Sequence, residues 1–351
     1  MELQTDTLRM LDLMTAPGFC VKNNEIIKVN SAAQGLFFRP GRDIRTFIQI
    51  GGEEYSRFTQ GCLYLSLVCE GNTWSASVTR ENGLDIFLVE QAFAQPELQA
   101  FALAARELRS PLNNAMLIAD QLLKEMPAQQ SEGISRLNRG LYQLLRIVDN
   151  MSDAEFWYAG SVQQTHNICA VLEEILSKAQ EKISATKVTM TYSLPEVPIY
   201  TLCSPEQLER ALLNILSNAV KFTPNEGTIQ VTLTRQDNSL RLSVLNSGSA
   251  MADEILHTVF SRYRRRPVIE DSRHGIGLGM VLIRNAAASH DGTVLVDRPE
   301  SSGTRITMTL SIRTSDNSLR SPVSLPLSGG FDAGLVHLSE VLPPRLYDGS
   351  K

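Results

Sequence analysis

The sequence has few features of a secreted, metal-binding or membrane-spanning protein. Its five cysteines are an odd number and none is paired in a CxxC spacing, which indicates neither a disulfide framework nor a zinc site. No apolar run approaches the roughly 20 residues that a membrane-spanning helix needs, and the first residues lack the apolar core of a signal peptide. We therefore expect a cytoplasmic protein without a membrane span, with buried free thiols.

The charge composition gives no sign of nucleic-acid binding. The formal net charge is -5, whereas a nucleic-acid-binding surface is basic. One basic run, residues 262 to 266, stands against this background. The content of charged residues (20%) and apolar residues (43%) is ordinary for a globular protein. A chain of 351 residues is long enough for two or three domains with their own cores.

Two consecutive stretches have the apolar spacing of helices packed against other helices. The first stretch carries Phe101, Ala105, Leu108, Leu112, Ala115, Ala119, Leu122 and Met126. The second, after a polar turn at residues 127 to 133, carries Ile134, Leu137, Leu141, Leu144, Val148 and Met151. Two helices have too little mutual surface to bury both seams, so the sequence predicts a helical hairpin that forms a four-helix bundle in a dimer.

Residues 106 to 113, on the first of these helices, read Arg-Glu-Leu-Arg-Ser-Pro-Leu-Asn. This motif resembles the phospho-acceptor helix of sensor histidine kinases, which has histidine where this chain has Arg106. Pro111 within a helix costs about 3 kcal/mol, so something other than helix propensity places it there. The resemblance implies that Arg106 replaces the acceptor histidine. It also implies that Glu107 and Ser110 keep the positions from which the family orients a water for aspartyl-phosphate hydrolysis.

The first 90 or so residues combine a strand hairpin, short helical pieces and a three-stranded meander. This order resembles a PAS domain, the sensor module that often precedes a kinase helix. No histidine occurs before His166, which excludes a haem ligated by histidine in this part, and no cysteine motif for a flavin adduct is visible. The sequence leaves open whether this part binds a small molecule or a partner, or has only a structural role.

Polar residues downstream indicate a magnesium and phosphate site. Asn214, Asn218 and Lys221 are spaced by four and three, so they share one face of a predicted helix from residue 202 to 222. Taken alone, they could simply be the helix's solvated side. The run His-Gly-Ile-Gly-Leu-Gly at residues 274 to 279 opens a second helix, where glycines let backbone N–H groups approach phosphates.

These elements, in this order, resemble the ATPase domain shared by histidine kinases, gyrase and heat-shock chaperones. The resemblance covers residues 167 to 313. It assigns Asn218 to magnesium, Lys221 to a terminal phosphate of ATP, and Phe222 to the lining of the nucleotide site. Gly275, Gly277 and Gly279 would contact phosphates. The basic run at residues 262 to 266 would belong to the lid over the triphosphate.

The family's adenine-binding box, Asp-x-Gly-x-Gly, is altered in this chain. It reads Asn246-Ser247-Gly248-Ser249-Ala250. Asn246 still offers an oxygen to the adenine amino group, but a neutral acceptor is weaker than a carboxylate. Ala250 lacks the positive-φ freedom of glycine, if the position needs it. We expect ATP binding to be weakened, with Asn246 and Gly248 still among the residues that bind the nucleotide.

The predicted fold class is α+β, in four parts. Residues 1–95 form a PAS-like sensor, residues 96–160 a dimerising helical hairpin, residues 161–313 a two-layer α/β ATPase-type domain, and residues 314–351 a linker and tail. The tail ends in a segment that could be a short docking helix.

The first functional interpretation is a degenerate sensor histidine kinase of a two-component system that acts by conformation or partner binding, with ATP and Mg²⁺ as ligands. Arg106 cannot replace histidine, because a guanidinium is protonated at every accessible pH and has no lone pair to attack with. The expected partners are a second copy or another kinase, and a response-regulator receiver domain. Two alternatives remain: a response-regulator phosphatase, or the ATP-binding half of a heterodimeric kinase.

Overall fold

The structure is a computed structural model that describes residues 2–91, 96–125, 131–156, 163–252, 256, 259–260, 278–299, 303–314 and 330–348. Within these ranges, no helix combines the length and the apolar character needed to cross a bilayer. All five cysteines are buried and free, as their spacing led us to expect.

The N-terminal part contains the predicted strand hairpin and three-stranded meander. Its turns hold the positive φ angles that asparagine and glycine accept, 51° at Asn23 and 78° at Gly71. The elements are α1 (Glu2–Leu13), β1 (Gly18–Lys22), β2 (Glu25–Val29), β3 (Ile48–Ile50), α2 (Gly52–Arg57), β4 (Cys62–Cys69), β5 (Asn72–Glu81) and β6 (Leu84–Gln91), with 3₁₀ turns at Ser31–Leu36 and Ile44–Thr46.

Aromatic side chains fill the centre of this N-terminal part. The ring of Phe19 lies 4.8 Å, between centroids, from the rings of both Phe38 and Phe87. All three phenylalanines are fully buried. Tyr55 packs edge-on against Phe87, and its hydroxyl donates to Asp85 over 2.7 Å. Packing of this kind stabilises the unit through apolar burial and ring geometry.

The predicted helical hairpin is present as α3 (Pro96–Glu125) and α4 (Ser131–Phe156). Pro111 lies inside α3. Ala105, Ala119 and Val148 of the predicted seams are buried, but Leu108 and Leu144 are 51% and 52% exposed. The large apolar side chains left exposed on the hairpin are Leu103, Leu108, Leu117, Ile118, Leu122, Leu137 and Leu144. An apolar surface of this size is consistent with the predicted bundle of two hairpins, which stays a prediction.

The ATPase-type part layers helices on a sheet, as its alternating pattern predicted. Its elements are β7 (Gln164–Asn167), α5 (Ile168–Ile183), β8 (Thr189–Ser193), β9 (Tyr200–Cys203), α6 (Pro205–Phe222), β10 (Thr228–Gln236), β11 (Ser239–Asn246), α7 (Leu278–Ser289), β12 (Val294–Asp297) and β13 (Thr304–Ser311). The prediction that the helix starts at residue 202 is wrong, because Tyr200–Cys203 pairs with Gln164–Asn167 as a separate two-stranded sheet. Pro205 is the first helical residue, after a Ser204 cap.

Strands of the N-terminal and ATPase-type parts join in one sheet of 11 strands. Along the sheet the order is β2-β1-β6-β5-β4-β12-β13-β11-β10-β8, with β3 beside β4. At the junction β4 pairs antiparallel with β12, with Tyr64 opposite Val294. Gly61 at this junction has a φ of 98°, and a Cβ atom there would lie 2.3 Å from the carbonyl oxygen of Val296. The close backbone approach therefore requires glycine.

The last described segment, residues 330–348, is called the tail below. It contains the short helix α8 (Ala333–His337) and a 3₁₀ turn (Pro344–Tyr347). The Asp332 side chain caps α8 by accepting from the backbone N–H of Leu335. The tail packs on α4, α5 and α6, so the short docking helix considered from the sequence is present.

Candidate nucleotide-binding site

Helix α6 carries four of the predicted site residues, Asn214, Asn218, Lys221 and Phe222. Ser204 caps this helix by accepting from the backbone N–H of Gln207 (3.4 Å). The apolar face of α6 is buried in the core. Asn214 is 1% exposed, and its side-chain nitrogen donates to the carbonyl oxygen of Arg210 (2.9 Å). The oxygen of the same amide has no hydrogen-bond partner among the described residues. A buried acceptor without a partner costs about 1–3 kcal/mol, so this oxygen is suited to a ligand or a cation.

The glycine run meets α6 at Asn214. Gly279 is in the first turn of α7, and a Cβ atom there would lie 3.1 Å from the side-chain oxygen of Asn214. The structure thus brings Asn214 and Gly279 together. Gly275 and Gly277, with the basic run at residues 262 to 266, lie outside the described residues.

Lys221 ends the predicted face of α6 and is engaged by another part of the chain. Its side chain is 9% exposed, and its ammonium forms an ion pair with Glu340 of the tail. Asn218, one turn earlier, is half-buried. Phe222 is 44% exposed, and the Lys221 ammonium lies 6.0 Å from its ring centroid. No signal in the sequence indicated that the ammonium of Lys221 would form an ion pair with a carboxylate of this chain.

The altered adenine box is packed against the end of α6. We assign the amide orientation of Asn246 from its neighbours: its nitrogen donates to the carbonyl oxygen of Thr304 (2.9 Å), and its oxygen accepts from the N–H of Gly248 (3.1 Å). A Cβ atom at Gly248 would lie 1.8 Å from the carbonyl oxygen of Phe222. Position 248 therefore has no room for a side chain. Asn246 is held by two backbone partners, and a carboxylate in its place could accept from Gly248 but could not donate to Thr304.

The hairpin residues of the kinase-like motif are accessible. Arg106, Glu107 and Ser110 are all exposed on α3, and Glu107 and Ser110 are three residues apart on one side of the helix. Arg109, in the same motif, forms an ion pair with Asp149 of α4. This pair ties the motif to the second helix of the hairpin.

A buried ionic cluster joins the hairpin to α6, and sequence reasoning did not detect it. Arg210 contacts Asp149 and Asp153 of α4, each at 3.4 Å. Burial raises the pKa of Asp153 to about 7, against the lowering effect of Arg210. Spacing along the sequence could not indicate the cluster, because Arg210 is 57 and 61 residues away from the two aspartates.

The residues present fit a nucleotide with a cation. The buried amide oxygen of Asn214 is a hard ligand without a described partner, and Gly279 approaches it so closely that a Cβ atom there would lie 3.1 Å away. When bound, Mg²⁺ would supply charge neutralisation of the phosphates. Within the described ranges no cluster of three or more His, Cys, Asp or Glu side chains could hold a metal alone. A magnesium ion bound with the help of phosphates needs no such cluster.

Comparison with known proteins identifies a family match over the part of the chain that carries these residues. Residues 203–314 match the family described as "Histidine kinase-, DNA gyrase B-, and HSP90-like ATPase". The chain is 27% identical over 226 residues to the "Hybrid signal transduction histidine kinase D" of Dictyostelium discoideum, covering 60% of this chain and 14% of that protein. It is 27% identical over 230 residues to the "Adaptive-response sensory kinase SasA" of Synechocystis sp., covering 61% of this chain and 59% of that protein. The chain therefore spans less than two thirds of either relative.

A solved structure shares the fold. The full-length structure of ShkA in complex with AMPPNP matches 63% of this chain and 47% of its own, at 22% sequence identity and a TM-score of 0.50. Together with the sequence matches, this confirms the resemblance to sensor histidine kinases and to their ATPase domain.

Proposed function

We propose that this chain, a member of the sensor histidine kinase family, signals by conformation and partner binding and does not autophosphorylate at the usual position. The observation that carries the proposal is Arg106, exposed on α3 where the family's motif has histidine. A guanidinium has no free lone pair with which to attack a phosphoryl group. Glu107 and Pro111 of the motif are present and α3 is continuous through it, so what is lost is the acceptor and not the helix.

Nucleotide binding is proposed to survive in weakened form. The buried oxygen of Asn214 and its closeness to Gly279, at the start of α7, support a phosphate and Mg²⁺ site. Asn246 offers adenine a neutral acceptor that already takes a hydrogen bond from Gly248, which supports reduced affinity. ATP with Mg²⁺ is the proposed ligand.

The proposed partners follow from the family and from the hairpin. The exposed apolar side chains of α3 and α4 support a dimer with a second copy or with another kinase. The relatives' names describe signal transduction and sensory kinases, and we propose a response-regulator receiver domain as the downstream partner.

Two measurements test this proposal. Incubation of the wild-type chain with labelled ATP should give no acid-labile, base-stable phosphoryl group in residues 101 to 151. A phosphoryl group of that kind there would refute the loss of autophosphorylation.

Nucleotide binding is tested separately by thermal shift with millimolar MgATP, since a ligand of the native state raises the melting temperature by mass action. Asn218→Ala should reduce the shift, and Gln230→Ala, on the exposed surface of β10, is the matched control. Absence of a shift in the wild type, or an unchanged shift in Asn218→Ala, would contradict the site assignment.

A second candidate function is dephosphorylation of a receiver domain. Its support is the exposure of Glu107 and Ser110 on one side of α3, where a carboxylate and a hydroxyl could orient an attacking water. Loss of phosphate from a phosphorylated receiver domain should be faster with wild type than with Glu107→Ala or Ser110→Ala. Lys124→Ala, exposed on the same helix, serves as control. Equal rates for all four proteins would exclude this function.

A further inference from the structure

The tail lies across the boundary between the hairpin and the ATPase-type part. Val336, Leu338 and Leu342 are fully buried there, which anchors the tail by apolar burial. On the hairpin side, Arg139 of α4 donates to the carbonyl oxygens of Ser339 (2.9 Å) and Glu340 (2.8 Å). The tail is therefore a specifically held element of the fold.

Further contacts hold the tail to both sides of the boundary. Lys182 of α5 forms an ion pair with Asp332 at 3.0 Å. The side-chain nitrogen of Asn138, on α4, donates to the carbonyl oxygen of Tyr347 (3.1 Å). Because α4 belongs to the hairpin and α5 to the ATPase-type part, the tail ties the two together.

Glu340 is the charged centre of this arrangement. One carboxylate oxygen accepts from Arg146 of α4 at 2.5 Å, and the other accepts from the ammonium of Lys221. Burial raises the pKa of Glu340, but Lys221 and Arg146 outweigh it, and the pKa lies below its ordinary value. The carboxylate is therefore charged at neutral pH, and it bridges Arg146 of the hairpin and Lys221 of the candidate nucleotide site.

We propose that the carboxylate of Glu340 competes with nucleotide for Lys221, so that the docked tail and a bound triphosphate oppose each other. The inference rests on the proposed function, because that function assigns Lys221 to a terminal phosphate. A phosphate beside Lys221 would also face the negative charge of Glu340, and like charges at contact distance repel.

The competition has a structural consequence. If a phosphate takes Lys221, Glu340 loses one of its two cationic partners, and the tail's hold on α6 weakens while Arg146 remains. Coupling of this kind is reciprocal: a docked tail lowers nucleotide affinity by the same factor by which nucleotide disfavours docking. Nucleotide would thus report to the hairpin through the tail, without phosphoryl transfer.

The experiment compares the full wild-type chain with Glu340→Gln, which removes the charge and keeps the side-chain shape. Binding of Mg²⁺-AMPPNP, Mg²⁺-ADP and adenosine is measured by calorimetry. Glu340→Gln should bind AMPPNP about tenfold more tightly, since a hydrogen bond to a charged group contributes about a factor of ten or more, and should bind adenosine as the wild type does. Glu174→Gln is the matched control, because Glu174 pairs with Lys178 on the outer side of α5, where the two side chains are 32% and 52% exposed.

Hydrogen exchange of the tail gives a second measurement. In the wild type, AMPPNP should speed the exchange of backbone amides in residues 335–342, and adenosine should not. If Glu340→Gln and Glu174→Gln both bind AMPPNP as the wild type does and the tail's exchange does not respond, the competition is refuted while nucleotide binding stands. If none of the three proteins binds AMPPNP at millimolar concentration, the proposed nucleotide function fails and the competition fails with it.

Discussion

Removing Glu90 should destabilise the protein more than removing Arg284, although the two side chains form one ion pair. Arg284, on α7, contacts the carboxylate of Glu90 on β6 at 3.0 Å. It also donates to the carbonyl oxygen of Phe260 (2.9 Å), and its guanidinium lies 5.3 Å from the ring centroid of Tyr64. The pair therefore joins the N-terminal part to the helix that carries Gly279.

The difference follows from the burial of the two partners. The side chain of Arg284 is 1% exposed and that of Glu90 is 29% exposed. Glu90→Leu leaves a buried cation without its counter-charge, which costs about 3–5 kcal/mol. Arg284→Met leaves a carboxylate that water can reach, which costs about 1–3 kcal/mol. The double variant should cost less than the sum of the two single variants, because replacing a whole buried ion pair by apolar side chains is often neutral and, among the described residues, only the carbonyl oxygen of Phe260 loses its donor.

Urea unfolding of the full chain, followed by circular dichroism, measures these free energies. Glu53→Leu, in an exposed pair with Arg57 on α2, should change the free energy of unfolding by less than about 1 kcal/mol and is the control. If Arg284→Met is as destabilising as Glu90→Leu, or more so, the argument from burial is wrong. If the double variant costs the sum of the single ones, the two side chains are not coupled.

Three further predictions concern the hairpin, the tail and the adenine box. Ile118→Glu, at an exposed apolar position of α3, should convert a dimer to a monomer in light scattering; a wild-type monomer at micromolar concentration would contradict the predicted bundle. His337 is fully buried with no hydrogen bond from its ring among the described residues, and burial holds its pKa well below the ordinary value. As pH falls through about 6.5, only the unfolded state gains a proton on this histidine, so wild type should lose about 1.4 kcal/mol of stability by pH 5.5. The melting temperature of His337→Leu should therefore exceed that of wild type by more at pH 5.5 than at pH 7.5. A difference that does not change with pH would refute the assignment. Asn246→Asp should lower the melting temperature without ligand, because a carboxylate cannot donate to the carbonyl oxygen of Thr304, but should enlarge the rise that MgATP produces; a smaller rise would show that Asn246 does not face adenine.

Local sequence signals predicted the elements well where short-range physics decides the structure. Ser204 as a cap and Pro205 as a first-turn proline mark the start of α6, although the prediction began that helix at residue 202. The turns of the N-terminal meander follow from residues that accept positive φ. The spacing of Asn214, Asn218 and Lys221 placed them on one face because helix geometry fixes it. The exposure of Leu108 shows the limit: periodicity identifies an apolar face, but it does not say which neighbour covers it.

Contacts between distant segments were beyond the sequence. The pairing of β4 with β12 joins residues more than 200 positions apart, and only the positive φ of Gly61 and its lack of space for a Cβ atom mark the junction. Neither can be recognised before the partner strand is known. The ion pair of Lys221 with Glu340 is similar, because a charged residue on a predicted helix is more often solvated than paired across the chain.

The contacts between the parts of the chain are suited to signalling by conformation. The hairpin meets α6 through Asp149, Asp153 and Arg210, and it meets the tail through Arg146 and Glu340. Buried ion pairs add little net stability, because desolvation offsets much of the attraction, but they require a definite geometry. An interface of this kind has a defined closed state that can open at modest cost when one charge finds another partner. In the proposed function a triphosphate beside Lys221 would be such a partner, which would give a physical route from the nucleotide site to the hairpin that needs no acceptor histidine.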